Sequence, residues 1–140
     1  MSVMDDVQRE KFLAEVRVGV MAIARAEGPP LAVPVWYHYE PGGEVSVQTH
    51  PHAVKYRLAT AAGGFSIVAQ VETPPYRYVS VSGPLTGVEE DTPWAEVDAM
   101  ARRYFGADAD DYLKTLEGQP IATLRMRPQR WLSADYTEGS

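Results

Sequence analysis

The run Gln48-Thr49-His50-Pro51-His52, followed by Lys55 and Arg57, brings amide, hydroxyl, imidazole and cationic groups together in one short stretch. Pro51 suits the first position of a helix, with Thr49 or His50 as its cap. Free backbone N–H groups would then converge at that end, with the Lys55 ammonium one turn above and able to reach back. Such an end suits a phosphate or a carboxylate. Arg57 stands about 200° around the helix from Lys55 and reaches the same anion only from another direction. The same residues also suit a capped surface helix bearing two solvated charges.

Other chemistries are poorly supplied. There is no cysteine, hence no thiol nucleophile, disulfide or thiolate metal site. His50-x-His52 with His38 offers two-residue spacing in a turn and no nearby carboxylate, so no metal centre is expected. Glu89-Glu90 and Asp110-Asp111 read as solvated loop charges rather than an acid–base couple. Gly42-Gly43 and Gly63-Gly64 lack the spacing of phosphate-binding glycine loops, and no Gly-x-Ser-x-Gly elbow occurs. The aromatic residues Trp36, Tyr37, Tyr39, Tyr76, Tyr78 and Trp131 are dense for the length. They could all be core, or they could form a flat apolar slot for a planar ring system.

These groups need elements to hold them. Asp5–Glu15 reads as a short helix capped by Asp5. From Arg17 the period becomes alternating, with Val18, Val20, Ala22 and Ala24 on one side, up to a turn at 27–30. Leu31–Tyr39 is a second strand, apolar on both sides, which predicts cover on both faces by the core and by a ligand or partner subunit. Pro34 within it marks an edge or a bulge. Pro41-Gly42-Gly43 turns into a third strand, Glu44–Thr49, predicted to pair with the second. A helix from Pro51, with Val54, Leu58 and Ala61 inward, ends at Gly63-Gly64. Strands at Phe65–Val71 and Arg77–Leu85 follow, then a helix from Thr92-Pro93, then a last strand from Ala122 through Pro128 towards Trp131.

Strands in mostly hairpin order exclude a doubly wound parallel sheet and predict a mainly β, antiparallel barrel with short helices over its openings. The chain of 140 residues suits a single domain. We expect a helix over 1–15, a barrel with inserted helices over 16–133 and a tail over 134–140.

The net charge of −6 argues against a nucleic-acid-binding face. The charge is uneven: residues 51–85 carry a net +2, whereas 86–118 carry −6. No run is long and apolar enough for a membrane span, and Asp5, Asp6 and Glu10 do not suit a signal peptide. A cytoplasmic location is the expectation.

From about Phe12 to Leu132 the chain resembles the flavin- and deazaflavin-binding split β-barrel family that includes pyridoxamine-5'-phosphate-oxidase-like proteins. The resemblance rests on Arg17-Val18-Gly19-Val20, Val33-Pro34-Val35-Trp36-Tyr37, Lys55-x-Arg57, Pro75-Tyr76-Arg77-Tyr78-Val79-x-Val81-x-Gly83 and Arg127-Pro128-x-Arg130, in that order. Within the family it looks more like the branch using the deazaflavin F420 than the branch using FMN. It departs from the branch at Leu58-Ala59, where Asn-Leu is usual, and at Gly63-Gly64, where a turn containing Asp-Pro is usual.

The resemblance implies a six-stranded split barrel acting as a homodimer with two sites at the subunit interface. It implies that Lys55 binds the cofactor phosphate, with Gln48 and Thr49 close by and Arg57 assisting. Val33, Pro34, Val35 and Trp36 would lie along the ring or its side chain, with Tyr76, Arg77 or Trp131 from the partner subunit. The implied activity is hydride transfer from reduced F420 to a small conjugated organic substrate. The alternatives are an FMN-dependent reductase or oxidase, or a protein that binds F420 without turnover.

Overall fold

The computed structural model describes residues 1–137. The first helix, α1 (Asp6–Ala14), starts where Asp5 accepts a hydrogen bond from the Gln8 N–H and the Gln8 side chain accepts from the Asp5 N–H, a complete capping box. Its Phe12 and Leu13 are buried.

Seven strands follow: β1 (Gly19–Ile23), β2 (Leu31–Val35), β3 (Val45–Thr49), β4 (Gly64–Val71), β5 (Arg77–Glu89), β6 (Ala122–Met126) and β7 (Arg130–Asp135). Six form the antiparallel path β2-β1-β4-β5-β6-β3, and β7 joins beside β5. This is the expected mainly β half-barrel. Inward residues of alternate parity, among them Met21, Ile67, Val79, Val81, Leu124 and Met126, fill its interior with Tyr37 and Tyr39.

The last strand departs from the sequence reading by splitting in two. β6 pairs with Leu85–Glu89 of β5, whereas β7 pairs with Arg77–Ser82 of the same strand. The chain must therefore round a corner between them. Pro128, with no N–H to give, sits there, flanked by Arg127 N–H to Pro84 O (3.0 Å) and Gln129 N–H to Ser82 O (2.9 Å). The corner also explains Gly83, because a Cβ at that position would come 1.8 Å from the Arg127 carbonyl oxygen. β7 continues to Asp135, into the stretch read as tail; the rest of that tail beyond Thr137 lies outside the described residues.

The expected pairing of strands two and three is reduced to a single bridge between His38 and Ser46. β2 instead pairs along its length with β1, and β3 with β6. The turn at Pro41–Gly43 still reverses the chain, but the two strands are claimed by opposite ends of the sheet and diverge, leaving the barrel split between them.

Four α-helices occur among the described residues rather than the three expected. Helix α2 (Val54–Ala62) links β3 to β4 and packs against β1, β4 and β5. Helix α3 (Trp94–Phe105) and α4 (Ala109–Leu116) lie between β5 and β6. They share a small core of Val97, Ala101, Ala109 and Leu113. Asp110 and Asp111 are not loop charges: they stand in the first turn of α4, where carboxylates complement the helix dipole.

Candidate functional site

The split is bounded by the free edges of β2 and β3 and by the start of α2. Residues expected to surround a cofactor are distributed around it unevenly. Pro34 and Ala32 are exposed on the edge strand, Val33 is half-buried and Val35 joins the core. The outer face of the expected two-sided strand is therefore uncovered within one chain. Pro34 is on an edge strand, as its missing N–H requires.

The path from β3 to α2 corrects the sequence reading. His50 O accepts from Ala53 N–H (2.9 Å), so Pro51 is the second residue of a turn and not the start of the helix. The helix begins at Val54 with Ala53 as its N-cap. Thr49 Oγ1 donates to His50 O (3.4 Å) and His50 Nδ1 accepts from His52 N–H (3.1 Å), so neither residue caps it. The inward residues are Ala59 with Tyr56 and Leu58, while Val54 and Ala61 face solvent.

Three features of the α2 end coincide. It has no side-chain cap, no acidic residue in its first turn, and Lys55 in that turn. A lysine beside the positive end of a helix is unfavourable unless an anion is present. The half-buried Lys55 and the exposed Arg57 make no side-chain hydrogen bond or ion pair among the described residues.

Gln48 and Thr49 do not converge. Adjacent on a strand, they face opposite sides, Thr49 buried and Gln48 towards α3, where its Nε2 donates to Glu96 O (3.0 Å). Gln48 faces a cavity of about 430 Å³ between α3 and the outer side of β3 and β6. Trp36, just beyond β2, stacks on Tyr104 with centroids 4.6 Å apart and planes 3° from parallel, and meets Phe105 edge-on at 5.4 Å. One of its faces is thus taken by α3.

Two residues missed in the sequence hold this arrangement. Tyr104 OH accepts from Tyr37 N–H (2.9 Å) and lies 2.7 Å from the Arg17 carbonyl, to which it donates. Arg103 donates to the carbonyls of Tyr37 (3.1 Å) and Ala14 (3.0 Å). Together they satisfy backbone groups where the chain leaves β2. The available signal was Arg103-Tyr104-Phe105 closing an amphipathic helix, indistinguishable from ordinary core and surface residues without the partner segment.

Tyr76, Arg77 and Trp131 lie elsewhere. Trp131 packs on the core, with the Tyr39 ring at 6.1 Å and the Arg9 guanidinium 4.5 Å above it. Arg77 lies 5.3 Å over the Phe12 ring, seven residue steps along the β4–β5 ladder from the Gly64–Pro84 pair, or about 23 Å at strand rise. Tyr76 is exposed. Near Trp131, Tyr39 OH donates to Glu10 (2.7 Å), whose Oε1 also accepts from Gly42 N–H (2.8 Å). Burial and this bond push the Tyr39 phenol up to about 12, and the same bond, with that from Gly42, holds Glu10 below its ordinary value.

No family model and no curated protein matches this sequence. Solved structures do. An F420 reductase superposes with a TM-score of 0.70 at 23% identity, covering 87% of this chain and 94% of its own. An FAD-binding protein from Mesorhizobium loti gives 0.65 at 20% identity, with 94% and 95% coverage. A candidate pyridoxamine 5'-phosphate oxidase from Listeria innocua gives 0.63 at 12%, with 90% and 94% coverage. The chain has the split β-barrel fold of pyridoxamine-phosphate-oxidase-like proteins. Among the described residues no helix is long and apolar enough to cross a membrane.

Proposed function

We propose that this chain is the protomer of a homodimeric oxidoreductase that uses F420 to reduce a small conjugated organic substrate. The observation that carries the reading is the uncapped α2 end with Lys55 in its first turn and no acidic neighbour, an anion site without an internal partner. Its donor set fits a phosphate: backbone N–H groups, one ammonium and the Arg57 guanidinium nearby. Pro34, exposed on the free edge of β2, offers an apolar surface for a planar ring, whereas Val33 turns the other way onto the core and Trp36 is packed among Tyr104, Phe105 and Tyr112. Structural likeness to an F420 reductase supports the deazaflavin, and likeness to an FAD-binding protein keeps a flavin as the alternative.

A second copy is supported by the outer sheet face. Val18 and Leu132 are 55% and 62% exposed, and the register aligns Pro34, Val20, Val68, Ser80 and Leu132 in one row across five strands. Of the residues expected from a partner subunit, Tyr76 is exposed, whereas Arg77 and Trp131 turn towards α1 and the core, on the opposite face from that row.

Bound F420 supplies the hydride itself, so the protein's task is to bind, orient and exclude water. Lys55 and the α2 N–H groups hold the phosphate, the β2 edge orients the ring, and Arg103 with Tyr104 keeps the end of that strand in place. Titration of oxidised F420 fluorescence tests the reading. Saturable quenching is expected, and Lys55→Ala should weaken it by about 1.5–3 kcal/mol through loss of a charge-assisted contact. Purification with bound FMN and no response to F420 would transfer the assignment to the flavin. Binding without reduction of any acceptor would make the protein a carrier.

A further inference from the structure

The cavity beneath α3 includes no residue of α2 in its lining, and its chemistry differs from that of the α2 end. Its walls carry the Arg103 and Arg125 guanidiniums against a single carboxylate, Glu96, in a protein of net charge −6. Arg103 is immobilised by main-chain carbonyls through Nε and Nη2, has no carboxylate partner among the described residues, and keeps Nη1 unengaged. Arg125 binds Glu89 and Glu96 through Nη2 alone, at 2.9 and 3.2 Å. Ser46 is 9% exposed, and its hydroxyl has no partner among the described residues. Ala99 and Met100 supply an apolar wall.

We infer that this cavity is a binding site for a small organic monocarboxylate. A guanidinium fixed by carbonyls before a ligand arrives loses little freedom on binding, which favours a charged, hydrogen-bonded anion. Glu89 and Glu96 offset Arg125, which leaves Arg103 as the one cation of the cavity without a carboxylate partner, and a single such charge matches a carboxylate better than a doubly charged phosphate ester. The volume of about 430 Å³ lies in the range of ordinary small-molecule pockets and leaves space for an organic body on the Met100 side.

The test is a titration of the full-length chain with cinnamate, followed by backbone amide chemical shifts, with neutral cinnamamide as control. Cinnamate should bind saturably with a Kd of about 1 mM or tighter. Shifts should centre on Ser46, Gln48, Ala99 and Arg103, and cinnamamide should bind about tenfold more weakly or worse. Because Arg103 also clamps the backbone, the variants are Ala99→Trp, which fills the cavity from an exposed helix position, and Arg125→Gln. Ala99→Trp should abolish binding and Arg125→Gln weaken it about tenfold, with thermal melts confirming that both are folded. Absence of saturation, equal affinity for the amide, undiminished binding by Ala99→Trp, or shifts centred on Val54–Arg57 would overturn the inference. F420 quenching by Ala99→Trp is read separately, so failure here and failure of the cofactor reading are distinct results.

Discussion

The sheet is finished on one flank and open on the other. At the β5 corner, β4, the turn at Arg127-Pro128 and β7 meet with no space for a methyl group at Gly83. At the Arg77 end of the same strand, α1 begins with a complete capping box. At the split, two edge strands diverge after one bridge, and α2 begins with no cap, no acid and an unpaired lysine. The difference is that the start of α1 and the corner satisfy their backbone groups within the chain, although Arg9 Nε is buried without a hydrogen-bond partner, whereas the N–H groups at the start of α2 are left to water or a ligand. Local satisfaction therefore separates scaffold from site better than composition does.

Substitutions at matched places can break this contrast. Gly83→Ala should have the largest effect, destabilising by upward of about 3 kcal/mol in urea unfolding, because the intruding Cβ meets backbone that cannot rotate aside. A fully stable Gly83→Ala protein would mean that the corner is looser than described. Asp5→Ala should cost about 1 kcal/mol of stability and leave F420 affinity unchanged, since that cap serves only the helix. Its counterpart, Ala53→Asp, should act in the opposite sense. A carboxylate at the bare N-cap should stabilise the fold by about 0.5 kcal/mol while weakening anion binding. Gains in both properties would show that the α2 end does not hold an anion.

The smallest effect concerns pH. The Tyr39 phenol is raised to about 12, so between the ordinary tyrosine value of about 10 and that value the unfolded chain binds fewer protons than the folded one. Stability should therefore be present below about pH 10 and decline as pH rises through about 12. Tyr39→Phe should flatten part of that decline in melts recorded across the range. Tyr37, raised chiefly by burial, contributes in the same direction.

Much of the architecture was legible because local chemistry and the fold agree. Asp5 caps α1 as read, Pro34 lies on an edge, and alternating apolar residues mark most strands. The misreadings have particular causes. Pro51 satisfies both a helix start and a turn, and only the His50–Ala53 hydrogen bond distinguishes them. Gln48 and Thr49 adjoin in sequence and are therefore separated by the pleat. α4 was concealed because Asp110-Asp111 suits a helix start as well as a loop.

The amino-acid sequence by itself determined where most strands lie along the chain, the turns at 27–30 and 41–43, the basic segment around Lys55 and the absence of thiol chemistry, because these depend on residue type and short-range spacing. Only the tertiary structure decided which strands pair, and hence that the barrel opens between β2 and β3. Pairing depends on contacts between segments distant in the chain, such as β3 with β6 and β1 with β4. The same long-range packing engaged one face of Trp36, turned Gln48 towards a separate cavity, and left Lys55 without a partner at the bare end of α2.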